Sequence, residues 1–348
     1  MQSTKYIFFR VDAHRSIGTG HLKRCLILAR FFKEREYNII FFTKETPSLI
    51  VEREIAQKYR HVRLMEGKSE ANQIIEMKNK TKSQIVGLIT DGDEDVYYSK
   101  EFQRNIISEG IKLITITFSP KAHFYSHIIH NQNPLSVFDN YSSESYSKKL
   151  FGLDYLVLKN EFLHLKRKKC VENPKKLLIS FGGADYNNLT CKSLRIIEKF
   201  NETITEIIIV VGQLFEELEE LTKLLDNYNI KTKIYKNTEK MPYIMSNVDI
   251  ALTSGGLTVW ELACFGIPNF VISTSERELK AAKYLAENKL IKYVGDVNDD
   301  LLDNNLERIF SSSLKEIQSL KKISDRAYKL IDARGTVRLL KEIESIMK

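Results

Sequence analysis

A histidine placed where a glycine-rich turn enters a helix is the first candidate for chemistry in this chain. Ile17-Gly18-Thr19-Gly20-His21 follows the β-rich run Tyr6-Ile-Phe-Phe-Arg-Val-Asp12. Gly18 and Gly20 admit backbone conformations and close approaches that other residues resist. The helix that follows reads Leu22, Cys25, Leu26, Ala29 and Phe32 on one face, with Lys23 and Arg24 beside them. A helix start presents unpaired N–H groups and partial positive charge, which suit a phosphate. The same field, joined by Arg24, disfavours an imidazolium, so His21 reads as a neutral general base. The plainer alternative is a polar residue in a solvated turn, and a glycine loop alone is weak grounds for choosing.

Two further glycine turns lie in the second half. Phe181-Gly182-Gly183-Ala184-Asp185 follows a strand-like run, where Gly182 and Gly183 expose backbone donors at the usual ligand side of an α/β sheet. Thr253-Ser254-Gly255-Gly256-Leu-Thr258-Val-Trp-Glu261, followed by Gly266-Ile-Pro268, has the donors to wrap phosphate oxygens. Glu261 could accept hydrogen bonds from vicinal ribose hydroxyls. A helix capping box, Thr258-x-x-Glu261, competes for those two residues but leaves Ser254-Gly255-Gly256 unexplained. Thr90-Asp91-Gly92-Asp93-Glu94-Asp95 ends a strand in four carboxylates, without the full spacing of a calcium loop. His127 and His130 face opposite sides of a strand and do not converge on a metal. The sequence gives no reason to expect a metal or a cofactor.

These residues need a scaffold, and the pattern of apolar runs describes one. Strands are expected at 5–11, 37–42, 84–90, 111–117 and 127–130, then at 176–181, 206–211, 231–235, 248–252 and 268–272. Runs such as Glu206-Ile-Ile-Ile-Val-Val211 are continuous rather than alternating, as in strands covered on both faces. Amphipathic helical stretches alternate with them, which implies parallel sheets and right-handed crossovers. The basic stretch Lys166 to Lys175 reads as a linker. The expectation is an α/β protein of two Rossmann-like domains facing a cleft, spanning 1–165 and 166–348, with helices near 315–346 at the end.

The 348 residues suffice for two cores. A net charge of +8 is spread among interspersed signs, with Glu216-Glu-Leu-Glu-Glu220 offsetting Lys166-Arg-Lys-Lys169. No basic platform interleaved with aromatics argues for nucleic acid. No apolar run reaches the ~18–20 residues of a membrane span, and the first residues lack signal-peptide features. Cys25, Cys170, Cys191 and Cys264 are scattered, as in reduced cytoplasmic proteins.

The stretch Arg10-Val-Asp12-Ala-His-Arg-Ser-Ile17-Gly18-Thr19-Gly20-His21-Leu-Lys-Arg24-Cys-Leu-Ile-Leu28-Ala29 resembles the N-terminal signature of the nucleotide-sugar hydrolases of pseudaminic-acid biosynthesis. Those enzymes belong to the glycosyltransferase-B superfamily and release UDP from a 2,4-diacetamido-2,4,6-trideoxyhexose. The resemblance implies that His21 is the catalytic base, with Asp12 and Asp91 at the site and Asn131 near the sugar. Ser180-Phe-Gly-Gly-Ala-Asp185 is similar to the family's Gly-Gly-x-Asp segment beside the diphosphate. Gly152-Leu-Asp-Tyr155-Leu-Val-Leu158-Lys159-Asn-Glu161-Phe162 resembles another family segment, with Lys159 in place of arginine. The 253–268 region looks like the donor-nucleotide element of the UDP-sugar glycosyltransferases that build peptidoglycan precursors. The final helix of this superfamily often crosses back to the first domain. Three family features differ: an Asp-His-Tyr element reads Asp91-Gly92-Asp93, an acidic pair reads Phe118-Ser119, and an Asn-Gln pair reads Arg277-Glu278.

The function so implied is a cytoplasmic, metal-independent, inverting UDP-sugar hydrolase. The alternatives are a UDP-sugar glycosyltransferase of the same architecture and a nucleotide-sugar-binding protein without turnover. The partner expected is a small UDP-sugar; the sequence does not speak to oligomeric state.

Overall fold

A computed structural model describes residues 5–14, 17–81, 83–92, 94–164 and 171–347. Arg15, Ser16, Asp93, Cys170 and the Lys166–Lys169 cluster of the expected linker lie outside the described residues. The chain divides into two units: residues up to Lys159 together with those from Arg334 onward, and Asn160–Ala333. The division between Lys159 and Asn160 falls ahead of the expected 165/166 boundary.

The first unit holds a seven-stranded sheet ordered β3-β2-β1-β4-β5-β6-β7. Its strands are β1 (Lys5–Val11), β2 (Asn38–Thr43), β3 (Arg60–Arg63), β4 (Gln84–Asp91), β5 (Lys112–Ile116), β6 (Ile128–Asn131) and β7 (Lys148–Phe151). Every pairing in it is parallel. The inner strands are apolar on both faces because helices cover both. Phe8, Ile40, Phe42, Leu88 and Leu113 share one face with the helices Glu70–Thr81 and Lys100–Ser108. The helix Gly20–Glu34 buries Leu22, Cys25, Leu28 and Phe32, and also Arg24, whereas Leu26 stays half-buried.

The second unit repeats this plan with six strands ordered β10-β9-β8-β11-β12-β13. They are β8 (Lys176–Ser180), β9 (Glu206–Val211), β10 (Lys231–Lys236), β11 (Ile250–Ser254), β12 (Asn269–Ser273) and β13 (Lys292–Asp296). Ile179, Ile207, Ile209, Leu252 and Phe270 build its core against the helices Leu189–Ile197 and Leu302–Lys315. In both sheets the order of strands reverses at one place, between β1 and β4 and between β8 and β11. Such switch points leave a crevice at the strands' carboxyl ends, where ligands of doubly wound folds bind.

Three strands absent from the sequence expectation, β3, β7 and β13, each form a sheet edge. Arg60-His-Val-Arg63 and Lys148-Lys-Leu-Phe151 expose part of their length to water, so they lack the continuous apolar run that marks an inner strand.

Residues 334–347 close on the first unit. The Thr336 hydroxyl donates to the Leu158 carbonyl at 2.8 Å and accepts from the Leu158 N–H at 2.8 Å. Gly335 begins the helix Gly335–Ile346 directly on the Leu156 backbone, where an added Cβ would lie 2.3 Å from a carbonyl oxygen. Gly335→Ala is therefore expected to lower the stability of this unit by about 2 kcal/mol, the range for forced overpacking against unyielding backbone. Urea unfolding of the variant, compared with an alanine at exposed Gly20, whose φ is ordinary and whose added Cβ would meet nothing within 4 Å, measures it.

Candidate active site

The switch point of the first sheet assembles a charged cluster. In the parallel register Val11 lies opposite Asp91, Asp91 opposite Ile116, and Ile116 opposite His130. Residues in register share a face, so Asp91 projects on the side packed by the Gly20–Glu34 helix. His21 and Arg24, one helical turn apart, reach it together. Arg24 donates from Nε to Asp91 Oδ2 at 2.6 Å and from Nη2 to Oδ1 at 2.5 Å, a two-pronged pairing. His21 Nδ1 lies 2.8 Å from Asp91 Oδ1, and the Cys25 thiol donates to Oδ2 at 3.7 Å.

Burial alone would raise the Asp91 carboxyl, but the Arg24 guanidinium and the bond to His21 outweigh it and hold the group at about 2. Asp91 is thus ionised and accepts only, which requires the proton on His21 Nδ1. With that tautomer fixed, the contact of Arg24 Nη2 with His21 Nδ1 at 3.4 Å is proximity rather than a bond. In the neutral imidazole Nε2 then carries the lone pair, and it has no hydrogen-bond partner among the described residues. The imidazole side chain keeps 11% of its surface exposed. An orienting carboxylate behind a histidine with an open Nε2 is the geometry of a general base.

Phe118, one of the departures noted in the sequence, packs against this pair. Its ring meets His21 edge-on at 5.5 Å between centroids, and the Arg24 guanidinium carbon lies 4.7 Å from its centre. Neither Phe118 nor Cys25 is identifiable as a site residue from spacing. The signal for Arg24 is its burial, at 4% exposed, on a helix whose neighbouring lysine stays in solvent.

The remaining first-unit candidates are spent on architecture. Asp12 Oδ1 accepts from the backbone N–H groups of Lys44, Glu45 and Thr46 and from the Thr46 hydroxyl, while Oδ2 takes Arg10 at 2.5 Å. Arg10 bonds Glu70 through Nε at 2.7 Å. Arg10 pairs with Thr90, one position before Asp91, so this network occupies the opposite face of the sheet from the His21 cluster. Burial opposes the charge of Asp12, yet Arg10 and the donors around it hold its carboxyl below the usual range. Asn131 is likewise engaged: its Nδ2 donates to the Tyr141 hydroxyl, and its Oδ1 accepts from the Asn133 N–H. Gly18 is left-handed at φ 73°, as the turn demands, whereas Gly20 has an ordinary φ with nothing within 4 Å of an added Cβ. Gly20 thus needs no special conformation, contrary to the sequence reading. What its missing side chain leaves is open space beside His21.

The second unit brings its two glycine turns together at its own switch point. β8 and β11 are neighbours, and an added Cβ would lie 4.0 Å from Ser254 Oγ at Gly182 and 3.9 Å at Gly256. Gly182 is left-handed at φ 84°. Gly183 is closely packed for a structural reason: its backbone fills the space a Cβ on Gly212 would need. Asp185 caps the Leu189–Ile197 helix by accepting from the Leu189 and Thr190 N–H groups at 2.8 Å each, and burial pushes its carboxyl up to about 6 despite those bonds. The Leu257–Phe265 helix starts at a Gly256 N-cap without a side-chain capping bond, so the Thr258 capping box does not form. Thr258 lies in the first turn of that helix and Glu261 is buried in its second. Gly255 donates its N–H to Glu278 Oε2 at 3.2 Å, a partner that sequence spacing does not reveal. Among the described residues no group of three His, Cys, Asp or Glu side chains could hold a metal, and no helix is long and apolar enough to cross a membrane.

Comparison with known proteins places this geometry. The sequence model of the family described as "Protein of unknown function (DUF354)" matches residues 141–335. An uncharacterized protein of Methanocaldococcus jannaschii, MJ1062, is 31% identical over 76% of this chain and 55% of its own length. The spore coat polysaccharide biosynthesis protein SpsG of Bacillus subtilis is 24% identical over 54% of this chain and 56% of its own. The chain thus spans little more than half the length of these curated relatives. Among solved structures, MurG of Acinetobacter baumannii superposes with a TM-score of 0.67 at 14% identity, covering 98% of this chain and 99% of that one. A UDP-glucosyltransferase from Polygonum tinctorium gives 0.67 at 10% identity, covering 100% and 99%. These likenesses show a glycosyltransferase-B fold built of two Rossmann-like domains.

The Asp91 cluster makes a stability prediction. A folded-state value near 2, below the ordinary 3.8, stabilises the fold above about pH 4 and loses that contribution as pH falls through 2, an effect of about 2 kcal/mol. Asp91→Asn leaves the Arg24 guanidinium buried without its counter-charge and is expected to cost about 3 kcal/mol at pH 7. Urea unfolding between pH 2 and 7 should show the variant less stable at neutrality and flatter in the acid range.

Proposed function

The chain belongs to the DUF354 family, and from that premise we propose that it hydrolyses a UDP-linked 2,4-diacetamido-2,4,6-trideoxyhexose to free sugar and UDP, as a cytoplasmic enzyme of nonulosonic-acid biosynthesis. The observation that carries the reading is the His21 imidazole, tied through Nδ1 to an ionised Asp91 with Nε2 unpartnered. In the proposed reaction Nε2 takes a proton from water as the water oxygen bonds the anomeric carbon. The bond from that carbon to the diphosphate oxygen breaks, and its electron pair leaves with UDP. Attack opposite the leaving group inverts the anomeric configuration. Asp91 stabilises the imidazolium formed, and Arg24 holds Asp91 in place.

The nucleotide half of the substrate is assigned to the second unit. Support comes from Gly182, Ser254 and Gly256 lying together at its switch point and from the fold shared with a UDP-glucosyltransferase. Support for sugar chemistry comes from the relative named for spore coat polysaccharide biosynthesis. No step requires a metal or a cofactor. A glycosyltransferase would place an acceptor hydroxyl where water attacks, and a binding protein would hold the nucleotide sugar without turnover.

Incubation of the purified protein with this UDP-sugar, followed by NMR without any acceptor, is expected to show free sugar and UDP. His21→Ala should lower the rate by about 10²–10⁴-fold, the share of a positioned base, with UDP affinity unchanged. Undiminished hydrolysis by His21→Ala rules out the assigned base. UDP release that starts only when an acceptor is added identifies a transferase, and binding without release identifies a binding protein.

A further inference from the structure

Glu278 sits where the second unit's turn would receive an anion. Its Oε2 accepts from the Gly255 N–H at 3.2 Å, the Thr274 N–H at 3.0 Å and the Thr274 hydroxyl at 2.8 Å. Its side chain also lies against the turn itself, with Cβ 3.0 Å from the Cβ position of Gly255 and Oε1 3.6 Å from that of Gly256. Ser275 caps the Glu276–Glu287 helix by accepting from the Glu278 N–H. Capping alone would send the carboxylate back to the N-cap backbone. Here the oxygen that bonds Thr274, just before the N-cap, also reaches across to the β11 turn, 23 residues earlier in sequence.

Three donors from two separate loops meeting on one oxygen form a site for a singly bonded anionic oxygen. A carboxylate and a phosphate both meet that description. One N–H cannot serve both, and two anions at contact distance repel. We propose that the Gly255–Thr274 donor set is a phosphate subsite and that Glu278 is its built-in competitor, displaced when a nucleoside phosphate binds. The proposal rests on the nucleotide reading of this unit and adds to it a selective element. Only a ligand carrying enough negative charge moves the carboxylate aside, while the nucleoside part gains nothing from its removal. The bond to Gly255 is the longest of the three, so it breaks first as the carboxylate leaves the donor set.

The test is isothermal titration of the full chain with UDP, UMP and uridine, using the parent protein, Glu278→Gln and Glu278→Ala, each checked for an unaltered melting transition. Glutamine keeps the shape of the side chain without its charge, and so remains informative should alanine disturb the helix start. The expected result is UDP bound about tenfold more tightly by the alanine variant, with glutamine intermediate and uridine equal in all three. UDP affinity that is unchanged or weakened in both variants overturns the competitor while leaving nucleotide binding intact. Equal gains for uridine and UDP also overturn it, since the effect would not depend on phosphate. If no protein binds any of the three ligands, the nucleotide reading and the competitor fall together.

Discussion

The buried pair between Arg24 and Asp91 is the interaction on which the first unit's site depends. A carboxylate this deep is tolerated only because two guanidinium nitrogens and an imidazole N–H meet its oxygens. In return it fixes three things at once. It locks the start of the Gly20–Glu34 helix to the end of β4, selects the His21 tautomer, and leaves Nε2 as the atom without a partner. Phe118 packs against both His21 and the Arg24 guanidinium.

The two-residue period of a strand explains why two charged networks coexist without merging. Arg10 and Thr90 face the helix Glu70–Thr81, and Val11 and Asp91 face the helix that carries His21. On one side Arg10, Asp12 and Glu70 fasten the loop after β2. On the other, Asp91 supports an imidazole. Both networks hold a buried arginine against carboxylate, and the second leaves the partly exposed His21 Nε2 open. That difference, rather than residue type, separates a structural cluster from a candidate catalytic one.

The second unit shows the same economy with backbone donors. The backbone of Gly183, which sequence spacing groups with Gly182, packs so closely on Gly212 that residue 212 has no room for a side chain. Gly255 lies beneath Glu278, and its N–H is already given to that carboxylate. Glycine turns at a switch point therefore carry packing and recognition together, and only the bond partners tell which glycine does which.

Inner strands and their order of alternation with helices were legible because burial on both faces writes a continuous apolar run into the chain. The edge strands β3 and β7 were not, since exposed charged residues break the run, and β13 offers only Tyr293-Val294 ahead of a glycine. Asp91 and the glycine turns were visible as residue types after strands, and His21 as one at a helix start. The partner of each was not. Asp12 and Asp91 look alike in sequence, both closing a strand beside the same helix. Register places them on opposite sides of the sheet and gives each a different set of donors. The sequence by itself determined which residues end strands and begin helices, because those are local matters of periodicity and turn chemistry. Only the tertiary structure decided which carboxylate meets Arg24, that Glu278 lies on Gly255, and that His21 Nε2 stays open. Those outcomes join segments 23 to 70 residues apart, and they follow from strand order and facing, which no local pattern records.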